Sequence, residues 1–304
     1  MKLRTYTFKA LGGPCELRLY GRSAPELKRV ADLAQAEVRR IECKYSRYRD
    51  DSVTAEINRS AGDKKGVSVD AETAQLLNYA EICFQQSGGL FDITSGVLRA
   101  VWDFKSGCLP RPEAVREVLE RVGWRKIEWN SPRLVLPVAG MELDFGGYGK
   151  EYAVDQVADL CRRHKIKHGL VDLGGDLAVI GPHPDGSPWN VGIRDPRAPD
   201  KALASIPLRA GGIASSGDYE RFMIVDGKRY GHILDPRTGW PIDGLASVSV
   251  IAPRCLVAGT ATTVAMLKGE RDGARWLDEL GLPNMRVTQD GELGGSIRVI
   301  RPSA

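Results

Sequence analysis

No two of the six cysteines, Cys15, Cys43, Cys83, Cys108, Cys161 and Cys255, form a CxxC pair, and no Cys/His group has zinc-ligand spacing. A thioredoxin-like or zinc-finger reading is therefore set aside, and buried free thiols in a reducing compartment are expected. No apolar run approaches the roughly 18 residues of a transmembrane helix. The opening MKLRTYTFKALGGPCELRLYG alternates charges with short apolar patches and lacks the apolar core and cleavage site of a signal peptide. A cytoplasmic protein without membrane insertion is expected. Charge of one sign is scarce: 43 basic against 39 acidic residues leaves +4, too little to argue for nucleic acid. There is no GxGxxG between a strand and a helix and no GxxxxGK[ST], which removes the Rossmann and P-loop fingerprints.

What is present is an ordinary globular composition, 42% hydrophobic and 27% charged over 304 residues. That length corresponds to two domains of about 150 residues or one large one. No linker, repeat or composition shift marks a boundary, so residues 1–304 are read as one unit with two lobes. Residues 5–20 alternate as strand, interrupted at Gly12, Gly13 and Pro14. Ser23 to Glu26 spells a capping box, and Leu27, Val30, Ala34, Val38 and Ile41 then mark one helical face. Further helices are predicted from Asp70 to Gly88-Gly89, from Pro112 to Gly123, from Lys150 to His164, from Cys255 to Leu267 and from Arg271 to Leu280. Residues 168–181, 189–193, 204–217, 220–234 and 246–252 are β-rich, and a hairpin from Met285 to Ile300 precedes an Arg-Pro-Ser-Ala tail. Asp226-Gly227 and Asp290-Gly291 carry the strongest short hairpin signal. Strands and helices mix without βαβ regularity, so the class is α+β with a mostly antiparallel sheet.

Glycine is over-used: 34 residues, well above the usual share of about 7%. Many flank Asp or Ser, as in DFGGYGKEY (144–152), VDLGGDLAV (171–179) and RAGGIASSGDY (209–219). Such turns let backbone N–H groups approach an anion, and a helix opening there adds its dipole. Gly146-Gly147 with Lys150 in the following first turn fits a phosphate cradle, or equally a tight turn. Among four histidines, His232 stands at a strand end before Ile233-Leu234-Asp235-Pro236. It suits proton transfer or a phosphate contact, or a histidine satisfied by its neighbours. Asp92, Asp144, Asp172, Asp176 and Asp218 sit in Gly- or Ser-flanked turns and either order those loops or meet Mg²⁺ and ribose hydroxyls. Trp102 and Tyr48 either stack on a flat ring or belong to the core.

In order, these segments resemble one family. YSRYRDDS followed by AEINR is similar to its S-x-Y-R-x-x-S-x-x-x-x-x-N stretch. FDITSGVL (91–98) resembles FDPTVGPL, and VWDF (101–104) resembles LWGF. DFGGYGKEYAVD (144–155) resembles DFGAIAKGYAVD, and LVDLGGDLAVIG (170–181) resembles LVNLGGDIRVIG. SSGDYERF (215–222) and HILDPRTGWP (232–241) are close matches. The family is that of the ApbE flavin transferases, and the likeness spans about residues 8–280. It implies a T-fold-like core with an FAD pocket between lobes. It implies transfer of FMN from FAD to a threonine of an acceptor protein, with Mg²⁺ and release of AMP. By resemblance, Leu11 lies against the flavin, Tyr48 matches the family tyrosine, and Leu90, Phe91 and Asp92 line the adenosine side. Asp144 meets FAD, Lys150 the diphosphate, and His232 and Ile233 stand beside FAD. The Gly147 carbonyl and Thr263 face the metal.

Two departures stand out. The family's late helix reads A-D-A-L-A-T, with Asp and Thr both on Mg²⁺, whereas this chain has Gly259 four residues before Thr263. Glu151 occupies the place of a family glycine. Loss of a carboxylate weakens a hard-oxygen site. The alternative expectation is thus an FAD-binding protein with weakened or lost transfer, unless Asp218 or Asp172 supplies the missing charge.

Overall fold

The computed structural model describes residues 1–198 and 200–297. The chain opens with β1 (Lys2–Ala10) and β2 (Gly13–Gly21), followed by α1 (Ala24–Tyr45), α2 (Val53–Arg59), β3 (Val67–Ser68) and α3 (Ala71–Gln86). After α4 (Pro112–Leu119) come β4 (Glu128–Asn130), β5 (Arg133–Val135) and α5 (Gly149–Arg163). Then follow β6 (Gly169–Leu173), β7 (Asp176–Gly181), β8 (Trp189–Arg194), β9 (Ala202–Leu208), β10 (Gly211–Gly217), β11 (Phe222–Val225), β12 (Lys228–Gly231) and β13 (Leu245–Ala252). The described chain finishes with α6 (Cys255–Leu280), β14 (Asn284–Thr288) and β15 (Leu293–Gly295).

Eight strands form one sheet in the order β1-β2-β6-β7-β10-β13-β14-β15, with every neighbouring pair antiparallel. The α+β class is as expected. Helix α5 lies on β6 and β7 and touches both α1 and α6, while α6 covers β10 and β13. The opposite face of the sheet is closed by the β8–β9 ribbon, whose Trp189, Val191, Ile193 and Ile206 pack with Leu170, Val179 and Ile213. A third apolar cluster joins Leu98, Trp102, Val118 and Val122 to Met223 of the β11–β12 hairpin.

Local chemistry explains the boundaries. Ser23 caps α1 by accepting from the Glu26 N–H, and the five apolar positions read from the sequence are all buried. Asp70 caps α3 through the Thr73 N–H. Asp226 (φ +51°) and Gly227 (φ +78°) make the tight turn between β11 and β12, as the Asp-Gly pair requires. Helix α6 breaks at Gly269 (φ +78°), so its halves are the two helices expected from the sequence. Helix α4 stops at Leu119 rather than Gly123, because the Val122 and Arg121 N–H groups bond in turns to Leu119 and Val118. The expected end of the last hairpin at Ile300 and the tail lie outside the described residues.

Strand register gathers particular turns at one end of the sheet. Cys15 pairs with Leu173, Leu173 with Asp176, Leu177 with Ile213 and Gly217 with Ser247. The β1–β2 turn, the β6–β7 turn and the end of β10 therefore share that end, and the segment carrying His232 leaves from it.

Candidate functional site

The β6–β7 turn is built from Gly174 (φ +66°) and Gly175 (φ +93°), a conformation that suits glycine. The Gly174 N–H bonds to the Pro14 carbonyl at 2.9 Å, and the Gly175 N–H donates to Asp172 Oδ1 at 2.8 Å. This ties the turn to the β1–β2 turn, where Leu11 takes φ +53° and its N–H donates to Glu42 Oε1 at 2.6 Å. Lys150, in the first turn of α5, reaches the same place: its Nζ is 3.5 Å from the Gly174 carbonyl and 2.8 Å from the buried Asp176 carboxylate. Burial works against the lysine charge, but Asp176 outweighs it and the pKa is raised. A charged ammonium thus stands beside the exposed Gly174–Gly175 turn, on the helix that follows the exposed Gly146–Gly147.

Asp144 closes the turn before α5 by accepting from the Gly146 N–H at 2.8 Å and pairs with Arg47. Arg47 also donates to the Tyr48 hydroxyl at 2.8 Å, and its guanidinium lies over the Tyr48 ring at 5.0 Å. Tyr48 is 75% exposed, which leaves its ring available for stacking. Its pKa is lowered, first by Arg47 and, among the weaker causes, by Arg221. Arg221 is also next to His232. Burial, and then the Arg221 charge, lower the His232 pKa from its ordinary 6.5; its Nδ1 is buried without a hydrogen-bond partner. Arg47 and Arg221 were absent from the sequence-based set. The signal available was only their position beside the S-x-Y and SSGDY motifs.

Other expectations divide. Phe91 is buried against Tyr148, ring centroids 5.8 Å apart, and lies beside Gly147, where an added Cβ would be 3.8 Å from its ring. Leu90 is buried next to it. Both Asp92 oxygens are engaged by the protein itself, one by the Thr94 N–H and hydroxyl and the other by the Trp124 N–H. Trp102 belongs to the core, donating to the Gly239 carbonyl at 2.8 Å. Ile233 packs at the edge of the main core. The Ser216 hydroxyl contacts those of Thr262 at 2.8 Å and Thr263 at 3.4 Å.

The two sequence departures meet in space. Asp155 of α5 caps α6 by accepting from the Cys255 and Leu256 N–H groups, both at 3.0 Å. One turn back along α5 and one turn on along α6, Glu151 faces Gly259. A Cβ on Gly259 would lie 2.4 Å from Glu151 Oε1 and 2.5 Å from its Cγ. Glu151 is buried and its Oε2 has no hydrogen-bond partner. Burial and then the Asp176 charge raise its pKa. The alternative carboxylates named from the sequence are committed elsewhere: Asp218 is held by Arg197 and Gln289, and Asp172 accepts from the Gly175 N–H.

Among the described residues no three His, Cys, Asp or Glu side chains gather as a metal cluster. A groove of about 520 Å³ lies elsewhere, lined by Phe84, Trp124, Ile127 and Trp129. None of Lys150, Asp144, Tyr48 and His232 lines it; its polar rim is Glu81, Gln85, Gly88, Gly89 and Arg125.

The model of the ApbE family matches residues 11–286. An FAD:protein FMN transferase of Treponema pallidum (strain Nichols) is 32% identical over 317 aligned residues, covering 95% of this chain and 87% of that relative. The crystal structure of the ApbE protein from Thermotoga maritima superposes with a TM-score of 0.89 at 30% identity, covering 97% of each chain. The apo form of the flavinyl transferase ApbE from Pseudomonas stutzeri gives 0.85 at 29% identity, covering 96% of this chain and 93% of that one. With nearly its whole length aligned and its motifs in order, the chain belongs to the ApbE family.

Proposed function

We propose that this chain is an FAD:protein FMN transferase that moves FMN from FAD onto a threonine of an acceptor protein and releases AMP. The observation that carries the reading is the charged Lys150 ammonium set beside the exposed Gly174–Gly175 turn at the end of the sheet where Asp144, Tyr48 and His232 also stand. Lys150 offsets charge on the diphosphate, the glycine turns let that group approach the backbone closely, and the Asp144–Arg47–Tyr48 group with Leu11 holds the flavin half. Phe91 and Leu90 supply apolar surface on the adenosine side, and Asp92 fixes their loop from within. Ile233 backs the strand end that presents His232.

In the reaction the threonine oxygen bonds to the FMN phosphorus while the bond to the AMP phosphate breaks. The threonine proton passes to His232, whose lowered pKa keeps it neutral and able to accept. The donor set fits Mg²⁺: it offers oxygen only, from the Thr263 hydroxyl, the Gly147 carbonyl and a buried carboxylate with an unpartnered oxygen. When bound, the ion offsets charge on the diphosphate. All six cysteines are free thiols, but Cys43 and Cys108 are exposed rather than buried as expected; free thiols suit a reducing compartment such as the cytoplasm. Among the described residues no helix is long and apolar enough to cross a membrane.

A second reading, FAD binding without transfer, is favoured by Gly259 alone. Incubation with FAD, Mg²⁺ and an acceptor carrying a target threonine separates the two. Transfer yields an acceptor band that stays fluorescent after denaturation, together with AMP. Bound FAD with no such band supports the second reading, and no FAD uptake removes both.

A further inference from the structure

Glu151 is unusual for a buried carboxylate. Its residue is only 9% exposed, yet Oε2 meets no donor among the described residues. Leaving such a group unpaired is costly, so buried carboxylates are normally paired or on a metal. The nearest cation does not relieve it, because the Lys150 ammonium is bound to Asp176 at 2.8 Å. Asp176 thus takes the ammonium, and Glu151 Oε2 is left as a buried oxygen without a partner, beside the face of α6 that carries Gly259.

The surroundings specify what kind of cation. Helix α6 presents Gly259 to Glu151 and, one turn later, Thr263. Thr262 and Thr263 share hydroxyl contacts with Ser216 at the end of β10. The donors named here are all oxygen. A hard divalent ion that keeps several waters fits such a set.

The packing also shows why position 259 is glycine. With Glu151 as it stands, a Cβ there would be 2.4 Å from Oε1 and 2.5 Å from Cγ, so a side chain at 259 requires Glu151 to move. We propose that Glu151, delivered from α5, is a carboxylate ligand of the divalent cation in this chain, and that Gly259 is the space it requires on α6. The proposal rests on the flavin-transfer reading and assigns one of its metal ligands to a residue of the facing helix.

The test is a calorimetric titration of the whole protein with Mn²⁺ in the presence of FAD. The variants are Glu151→Gln and the exchange pair Glu151→Gly with Gly259→Asp. Glu151→Gln keeps the shape and should weaken Mn²⁺ by about 10–100-fold or more, the range seen when groups that merely support a ligand are removed. The exchange pair moves the carboxylate to the other helix without crowding and should recover most of that loss. Unchanged affinity in Glu151→Gln, or an exchange pair no tighter than Glu151→Gln, overturns the assignment. FAD uptake measured separately without metal judges the flavin-transfer reading itself. Wild-type protein that takes up no FAD sinks that reading, while the Mn²⁺ series still decides the role of Glu151.

Discussion

His232 shows how burial and one charge set a residue's chemistry. Desolvation disfavours the imidazolium, and Arg221 adds like-charge repulsion. Both act in one direction, so the ring is neutral at pH 7 and becomes protonated only below its ordinary 6.5. In the proposed role of base the ring works in its neutral form, so the acid limb of kcat/KM should lie at lower pH than an ordinary imidazole would give. His232→Gln should lower kcat by about 10²–10⁴-fold and abolish that acid limb. Arg221→Gln should move the limb upward, because it removes the repelling charge. A pH–rate profile checks all three, and a limb that persists in His232→Gln would assign it to another group. Lys150 is the converse case, a cation kept charged by a carboxylate. Lys150→Met would leave Asp176 buried and unpaired, at a cost of about 3–5 kcal/mol, and should weaken FAD uptake as well. Denaturant melts and FAD titration measure the two losses separately.

At the level of elements, the helices are locked by a polar cluster that no single segment reveals. Glu72, in the first turn of α3, accepts from Arg40 and Lys44 of α1 and from the Tyr152 hydroxyl of α5. The Arg40 contact leads in holding its pKa down to about 2, against an ordinary 4.5. A depressed carboxylate stabilises the fold above its unfolded pKa and loses that contribution as pH falls through the folded value. Glu72→Gln should therefore destabilise by about 1–2 kcal/mol at pH 7, a figure reduced for partial solvent screening. The difference from wild type should shrink steadily below pH 4.5 and be largely gone near pH 2. Urea melts at several pH values measure it, and a constant difference would place the effect in packing instead.

The same distinction explains what was legible in the sequence. Capping at Ser23, a helix start near Asp70, the Asp226-Gly227 turn and the break near Gly269 are decided by neighbours along the chain, and the sequence revealed each of them; the cap that Asp70 supplies was not read from it. The position of the β8–β9 ribbon across the sheet and the partnership of Arg47 with Asp144 are decided through space. Glu151 and Gly259 were each visible as departures from the family pattern. Nothing in either segment said that they face one another, because that contact depends on Asp155 anchoring the start of α6 on α5.

The whole molecule makes the site from segments that only the folded sheet brings together. The β1–β2 turn, the start of α5, the β6–β7 turn and the segment after β10 come from widely separated parts of the chain and meet through strand register. An unfolded chain presents no such site, so FAD binds the native state alone and must stabilise it globally. At a free FAD concentration of about 100 times Kd the gain is about 2.7 kcal/mol. For a chain of 304 residues, the usual entropy of unfolding per residue converts this to a rise in Tm of about 4 °C. The rise should grow with the logarithm of FAD concentration and affect a single transition, since α5 and the turns share the main core with α1 and α6. Differential scanning calorimetry across an FAD series tests this. A melt with two transitions, only one of which moves, would show that the site belongs to a unit that unfolds on its own. A melt that does not move at saturating FAD would show that the nucleotide is not held by the native fold.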